Sequence, residues 1–444
     1  MNRMEEYRAL LEEMEETPAR LNFTVARAKA RTARQKLRRA VGVPASALAV
    51  VCLCFVLLVN VSAPFAAACS GIPVLKDLAQ AVSFNPSLSA AVENDWVQPI
   101  GLTQSANGAE MTIEYVIVDQ KQLNIFYTTG GDAAPMYDVY ADVQGAGGTG
   151  LSGFCVLKNS ARENGELQTI TVDFTERSMP GELRLVCRLF PLKGTVGESI
   201  APSHVSDAEE DAAAPAATLT FDLSFDPKFT QQATVVKLDR WVELDGQRIL
   251  FRDVEIYPTH IRVNVEDDPD NTAWLRRLEF YAEDENGGRY ERPSGITATG
   301  SPDSPAYRSF RLDSAYFADS EGLTLCLTGA TWLDKDKEWT WVDLDTGAAG
   351  FLPEGVSLRE SSREGEDVSL IFRVRNEPRG NLVMSWRLPG GEKRNIGSWG
   401  YTTGLGEESE VHILLNDCPG GRVELELDDT RTLEYETPVE IPIS

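Results

Sequence analysis

Three histidines are the residues best suited to acid and base chemistry near neutral pH. They are His204, His260 and His412, and each lies in a different segment of the chain. A Ser-His-Asp or Cys-His arrangement needs a nucleophile, a histidine and an orienting group within hydrogen-bond reach. No local motif of the sequence supplies such a set, and it contains no Gly-rich phosphate loop. We therefore expect no enzyme activity, no catalytic residue and no cofactor.

The seven cysteines do not form a metal-binding pattern. The sequence has no C-x-x-C pair and no Cys/His spacing typical of a zinc site. Cys155 and Cys187 fall in one predicted domain and could pair across two strands. Buried free thiols are the more frequent outcome for scattered cysteines, and we favour that interpretation.

Two acidic segments, VEDDPDN and AEDENGG, contain side chains of the kind that bind calcium. Neither segment has the spacing of an EF-hand loop. The ENGG sequence is also typical of a hairpin turn. We expect solvated turns rather than a metal site at these residues: Asp267, Asp268, Asp284 and Asn286.

Trp339 and Trp341 alternate along the predicted strand KEWTWVD, so both side chains point to the same face. If that face is exposed, the pair forms a stacking platform for a glycan of the cell envelope. If it is buried, the pair belongs to a sandwich core, where aromatic residues at strand spacing usually pack. The second alternative is the more frequent one, and the first gives a candidate site.

Two-residue periodicity begins after Trp96 and predicts β-strands. MTIEYVIVDQKQLNIFYTT has the pattern of a hairpin. DGQRILFRDVEIYPTHIRVNVED repeats that pattern when Gly108 is aligned with Gly246. A third, weaker hairpin starts at EGVSLRE, and a late strand recurs in GELRLVCRLF, EGLTLCLTGA and GRVELELDD. Recurrence at the length of a domain is typical of tandem β-sandwiches rather than of a solenoid.

We therefore predict three β-sandwich domains, and we place an acidic, flexible loop at 196–217 inside the first one. Their predicted limits are 96–226, 229–347 and 351–444. The preceding segment 69–95 is predicted to be a juxtamembrane amphipathic helix and linker, because GIPVLKDLAQAV has one apolar helical face. A helix lying in the lipid interface is the alternative for that segment.

Residues 44–68 have the composition of a transmembrane helix, since about 24 uncharged residues suffice to cross a bilayer. Cleavage and lipidation at Cys69 are the alternatives. The acidic segment upstream is unlike a signal peptide, and Ala66 is a poor match to a lipoprotein box. Seven Lys/Arg occur from Arg27 to Arg39 without an acid. The positive-inside rule therefore predicts a single-pass cell-membrane protein with residues 1–43 in the cytoplasm and the bulk outside.

Charge excludes one class of partner for the outer part. Residues 1–43 hold ten Lys/Arg and six Asp/Glu, a net charge of +4, so the remainder carries −30 against −26 for the whole chain. Such an acidic surface repels phosphates, and we expect no nucleic acid partner.

Inside the cell, MEEYRALLEEMEE forms an apolar helical face. Two short helices cannot bury a core alone, so this face is predicted to bind a partner: Met4, Tyr7, Leu11 and Met14.

PARLNFTVARAKARTARQKLRR, the apolar span, VNVSAPFA, IPVLKDLAQAV and the following hairpin together resemble one bacterial membrane family. It carries the domain of unknown function 4179, and its members resemble anti-sigma factors for extracytoplasmic-function sigma factors. VELDGQRILFRDVEIYPTHIRV resembles the Ig-like domain of unknown function that often follows it. The resemblance implies a transmembrane regulator with a sigma-factor partner and brings no catalytic residues. Residues 1–43 lack the His/Cys cluster of zinc-type anti-sigma domains, so sigma binding would be metal-free.

The sequence thus predicts a mainly β protein with a short cytoplasmic helical segment, one transmembrane helix and tandem Ig-like β-sandwich domains. The predicted function is regulation across the membrane. The competing function is cell-envelope adhesion or glycan binding, with a cytoplasmic tail that has no role.

Overall fold

A computed structural model describes residues 73–132, 134–158, 161–175, 177–192, 214–230, 233–293, 295–301, 304–320, 322–375, 380–403 and 408–443. The predicted cytoplasmic segment, the predicted span at 44–68 and most of the predicted flexible loop lie outside these residues. Within the described ranges, no helix is both long and apolar enough to cross a membrane. The mainly β prediction is confirmed, because strands arranged in six sheets make up most of the described chain.

In the described part of the chain, two short helices precede the first strand. They are α1 (Pro73–Ala81) and α2 (Pro86–Glu93). Asn85 begins α2 as its N-cap, since its side chain accepts a hydrogen bond from the Leu88 amide at 3.0 Å. Leu78 on α1 and Val82 directly after it are buried in the protein.

Eight strands of the described residues form the first domain: β1 (Gln98–Ala106), β2 (Ala109–Val118), β3 (Gln122–Gly131), β4 (Tyr137–Gly145), β5 (Phe154–Lys158), β6 (Gln168–Phe174), β7 (Glu182–Pro191) and β8 (Ala217–Ser224). One sheet has the order β1-β2-β3-β6-β5 and the other has the order β4-β7-β8. When the edge strand β1 is left out, this is the four-on-three strand order of an immunoglobulin constant-type sandwich.

The rest of the described chain forms strands that belong to two further sandwiches. They are β9 (Thr234–Leu244), β10 (Gln247–Ile256), β11 (Ile261–Asp267), β12 (Ala273–Asp284), β13 (Arg289–Tyr290), β14 (Ala298–Ser301), β15 (Ser304–Leu312), β16 (Leu323–Asp334), β17 (Trp339–Asp343), β18 (Val356–Glu364), β19 (Asp367–Arg375), β20 (Val383–Arg387), β21 (Arg394–Asn395), β22 (Ser398–Thr403), β23 (Glu408–Leu415), β24 (Arg422–Leu427) and β25 (Arg431–Ile443).

Each of these two sandwiches has a core shared by two sheets. In the second domain, the sheet β14-β15-β11-β10-β9 and the sheet β13-β12-β16-β25 enclose one cluster that includes Phe251, Val263 and Trp332. In the third domain, the sheet β18-β19-β23-β22 and the sheet β17-β24-β20-β21 enclose another that includes Phe372 and Trp386.

The second and third domains exchange their closing strands. The last strand, β25, pairs with β16 of the second domain, where Ile441 and Ile443 enter the core. Conversely, β17 leaves the second domain directly after β16 and pairs with β24 of the third domain. The predicted limits 229–347 and 351–444 therefore do not follow the sheets. The alternation in KEWTWVD predicted β17 correctly, but a pattern does not identify the partner strand.

The predicted repeat of the first hairpin is confirmed. Asn107-Gly108 and Asp245-Gly246 both have positive φ at both positions, the geometry of a type I′ turn. The pairing of β2 with β3 is irregular after Ile113, and that of β10 with β11 is irregular after Phe251, the residue aligned with it. The sequence alignment therefore reproduces both the turn and the irregularity.

Candidate functional site at the junction of the first and second domains

The predicted partner-binding residues Met4, Tyr7, Leu11 and Met14 lie outside the described residues. Trp339 and Trp341 are half-buried on β17, and the positions that face the core are Thr340 and Val342. The core alternative for the tryptophan pair is therefore wrong. A guanidinium lies against each ring: Arg387 at 3.8 Å from the Trp339 ring centre and Arg422 at 4.0 Å from that of Trp341. Glycan binding by this pair stays a prediction.

The four side chains considered as calcium ligands do not form one site. Asp267 and Asp268 precede β12, Asp284 is its last residue and Asn286 follows it. The expectation of solvated turns is wrong for the three aspartates, which are buried. Their carboxylates accept hydrogen bonds from the protein: that of Asp284 accepts from the amides of Asn286 and Gly288 and from the Tyr290 hydroxyl. Among the described residues, no group of three His, Cys, Asp or Glu side chains could hold a metal ion.

Cys155 and Cys187 are free thiols in different sheets of the first domain. Cys187 is buried, as are Cys326 and Cys418. The expectation of buried free thiols is confirmed for these three, and Cys155 is half-buried.

A buried group of charged side chains joins the first domain to the second, and we call it the junction cluster. Asp173 on β6 accepts hydrogen bonds from two arginines of the second domain. The Arg262 Nη2 atom lies 3.1 Å from both carboxylate oxygens, and the Arg311 Nη2 atom lies 3.1 Å from one of them. These side chains are all 1–2% exposed. The cluster consists of Asp119, Asp173, Thr259, His260, Arg262 and Arg311.

Further acceptors satisfy the two guanidinium groups. Arg262 Nη1 donates to the Phe174 carbonyl at 3.0 Å, and Arg311 Nη1 donates to the Ser309 hydroxyl at 2.6 Å. Two arginine charges also face two aspartate charges, Asp119 and Asp173. Because the guanidinium groups are hydrogen-bonded and the opposite charges are equal in number, the four ions can be fully buried.

Hydrogen bonds through His260 have one consistent direction. Its Nε2 atom accepts from Arg262 Nε at 2.8 Å, so Nδ1 carries the proton and donates to the Thr259 hydroxyl at 2.8 Å. That hydroxyl donates to Asp119 at 2.5 Å. In a catalytic triad the carboxylate contacts the imidazole and the hydroxyl is accessible. Here the hydroxyl lies between them and is buried, so the arrangement is structural.

Burial sets the protonation of this cluster. It lowers the pKa of His260 well below its ordinary value, and the charges of Arg262, Arg311 and Lys121 add to the effect. Burial also raises the pKa of Asp119, against the hydrogen bond from Thr259, the amides of the turn and the charge of Arg262. His260 is therefore neutral, and Tyr257 stacks on its ring at 5.1 Å between centres.

Acidification is expected to weaken this junction. Below about pH 6.5, His260 binds a proton in the unfolded state but not in the folded state, so the stability present above that pH is lost as pH falls. The slope attributable to one histidine is at most about 1.4 kcal/mol per pH unit. Asp119 opposes this loss of stability, because its raised pKa lets the folded state bind a proton at a higher pH than the unfolded state does. Other charged or titratable side chains lie around the His260 ring, and replacing His260 by glutamine changes none of them: Lys121, Asp173, Tyr257, Arg262 and Arg311.

Urea denaturation from pH 7.5 to pH 5 checks this prediction. His260→Gln should flatten the slope relative to that of the unmodified chain. If His260→Gln leaves the slope unchanged, His260 is not the residue that titrates.

The helix α2 also contacts the second domain. The buried Ser87 hydroxyl donates to the Asp313 carboxylate at 2.9 Å and accepts from the Ser314 amide at 2.8 Å. Burial raises the pKa of Asp313, and the Ser87 hydrogen bond opposes that shift. The segment that follows β15 thus contacts a helix that begins at Pro86, eighteen positions after the end of the predicted span at residue 68.

An aromatic cluster completes this contact. Trp96, directly before β1, packs against Phe229 of the linker between the first two domains, with ring centres 5.3 Å apart. It also packs against Tyr316 and Phe317 of the second domain at 5.8 and 5.9 Å. Its indole donates to the Val118 carbonyl of the first domain at 2.9 Å. One tryptophan therefore contacts the first domain, the linker and the second domain.

Sequence reasoning missed the junction cluster. It placed Asp119 inside the hairpin MTIEYVIVDQKQLNIFYTT and did not single out Arg262 or Arg311. One available signal was the arginine inside each of two otherwise uncharged strand segments, IRVNV and SFRL. That signal marks an outer sheet face, but it does not show that another domain covers the face.

Residues 36–130 match the family described as "Domain of unknown function (DUF4179)", and residues 233–350 match the one described as "Family of unknown function (DUF5643)". The resemblance of the first region to the domain of unknown function 4179 is confirmed, as is a second domain of unknown function behind it. No curated protein matches the chain. A solved structure titled "The crystal structure of the conserved domain protein from Bacillus anthracis" is 12% identical, covering 57% of this chain and 84% of that chain, with a TM-score of 0.38.

Proposed function

We propose that this protein is a single-pass membrane regulator that resembles an anti-sigma factor. Residues 1–43 would lie in the cytoplasm, residues 44–68 would cross the membrane, and the β-sandwich domains would sense or bind a component outside. The contact of α2 with the second domain carries the proposal, because it couples an outer domain to the segment nearest the membrane. A passive anchor has no need of such a contact.

The route of a signal follows from the same contacts. Ligand binding that favours a different arrangement of the second domain would strain the junction cluster, since its ions have no partner once separated. The Ser87 and Trp96 contacts would change with it. The ligand must bind the two arrangements with different affinity for any shift to occur.

The cytoplasmic partner proposed is an extracytoplasmic-function sigma factor. The helical face of Met4, Tyr7, Leu11 and Met14 would lie in a hydrophobic groove of that protein. The glutamates of the same helix would complement its basic, DNA-reading surface, so that binding competes with promoter contact. The basic run from Arg27 to Arg39 would then face anionic lipid.

Transcription tests this proposal. Leu11→Asp places a charge in the apolar face and should release the sigma factor, so transcription of its regulon should rise at least tenfold, the equivalent of about 1.4 kcal/mol of lost binding. Arg34→Ala, outside that face, should change transcription little. A reporter under a promoter of the neighbouring sigma factor gives the readout.

Cell-envelope binding is the alternative function. The half-buried Trp339 and Trp341 on the outer face of β17 favour it, whereas the arginines against their rings reduce the aromatic surface open to a sugar. If Leu11→Asp and deletion of residues 1–43 both leave the regulon unchanged, the regulator proposal fails and envelope binding takes its place.

A further inference from the structure

One large apolar side chain has almost no contact with the protein. Phe84 is 94% exposed, whereas the other exposed large apolar side chains of the described residues are 36–45% exposed. Burying a phenylalanine side chain stabilises a protein by roughly 1.5–3 kcal/mol. A fully exposed phenylalanine forgoes that gain unless another surface covers it.

The position of Phe84 is fixed by the two helices. It lies in the short turn between α1 and α2, and Asn85 next to it is held as the N-cap of α2. The apolar residues on either side, Val82 and Leu88, are buried in the protein. The helices therefore pack inward while the phenylalanine at their connecting turn points to solvent.

The surroundings of Phe84 lack charge. Residues 78–92 contain no Asp, Glu, Lys or Arg, although charged residues make up 25% of the chain. Its exposed neighbours Gln80, Ala81, Ser83 and Pro86 are small or neutral. Charges that lose water at a lipid interface are costly, and this segment has none to lose. An acidic protein partner, or a basic one, would find nothing complementary here.

The predicted span ends close enough for this turn to reach lipid. Fifteen residues lie between Ala68 and Phe84, and nine of them form α1. At about 1.5 Å per helical residue and about 3.5 Å per extended residue, the contour is at most roughly 40 Å. Aromatic side chains are enriched at the headgroup level of membranes.

We infer that Phe84 inserts into the lipid headgroup interface next to the span and holds the α1–α2 turn at the membrane surface. This inference rests on the membrane anchorage proposed above. It gives the contact between α2 and the second domain a fixed base, because α2 is then held by lipid at its start and by Asp313 of the second domain through Ser87. A displacement of the second domain would then be transmitted to the span rather than lost in a free linker.

Photo-crosslinking of the full chain in phosphatidylethanolamine/phosphatidylglycerol nanodiscs tests the inference. A p-benzoylphenylalanine in place of Phe84 should give lipid adducts by mass spectrometry. The same probe in place of Phe351, which is 42% exposed in the third domain, should give at least tenfold fewer. Both probes replace an exposed phenylalanine, so folding is preserved in each.

The outcomes separate the two proposals. A chain that stays in the disc but gives no lipid adduct at position 84, or equal adducts at both positions, overturns the inference and leaves the anchorage intact. Adducts from position 84 to protein alone also overturn it. A chain that is not retained in the disc overturns the anchorage and the inference together.

Discussion

Asp173→Asn is expected to lower the free energy of unfolding of the first two domains by about 3–5 kcal/mol. The substitution keeps the shape of the side chain but removes the negative charge that faces Arg262 and Arg311. All three side chains are 1–2% exposed, so water cannot replace the lost partner. Urea denaturation of the full chain, followed by fluorescence, measures the change.

A matched control is Asp222→Asn, which removes a carboxylate from the exposed pair between Arg184 and Asp222. Surface pairs contribute little, and this variant should unfold close to the unmodified chain. If the two variants lose equal stability, or if Asp173→Asn unfolds normally, the junction cluster does not hold the domains together. If Asp173→Asn loses part of its stability and the first two domains then unfold in separate transitions, the junction cluster couples the unfolding of those domains in the unmodified chain.

Removal of residues 431–444 is expected to unfold the second domain and leave the third one folded. The deletion takes away β25, whose Ile441 and Ile443 are buried in the second core. A buried isoleucine truncated to alanine costs about 2–5 kcal/mol, and here two are lost together with a whole strand. Hydrogen exchange should show lost protection in β12 and β16 and retained protection in β20 and β24.

Point variants in β25 distinguish the contribution of its buried side chains from that of the strand as a whole. Ile441→Ala should destabilise the second domain by about 2–5 kcal/mol, whereas Leu433→Ala, at a residue of β25 that is 37% exposed, should change little. Loss of protection in the third domain instead would support the domain limit at residue 351 and contradict the strand exchange.

The local part of this fold could be predicted from the sequence. Alternation located many of the strands, and the alignment of Gly108 with Gly246 matched two equivalent turns, Asn107-Gly108 and Asp245-Gly246, which both have positive φ at both positions. The late strands at 181–190, 321–330 and 421–429 all became inner strands of a sheet, β7, β16 and β24. These features depend on neighbouring residues alone.

The strand exchange could not be predicted, because the pattern of a strand does not identify the sheet that it completes. The choice depends on the connections. Asp334 and Arg431 form an ion pair at 3.1 Å where the chain passes between the domains, and the Asp334 amide donates to Thr430 at 2.9 Å. Such contacts join residues almost one hundred positions apart, and no local pattern encodes them.

The junction cluster was missed for a related reason. Arg262 and Asp173 are 89 positions apart, and each alone resembles an ordinary solvent-facing residue of a strand. Only the packing of one domain on another makes them a buried pair. The reverse error concerns the tryptophan pair, which was expected in the core. The smaller Thr340 and Val342 face the core in its place.

Binding of the neighbouring sigma factor to the full chain in nanodiscs tests the regulator proposal most directly. Isothermal titration should give a dissociation constant of micromolar or tighter, equivalent to about −8 kcal/mol or more. Leu11→Asp should weaken it at least tenfold, and Arg34→Ala should leave it unchanged. Absence of heat at micromolar concentration with the unmodified chain, or equal binding by Leu11→Asp, would contradict the proposal that residues 1–43 bind a sigma factor.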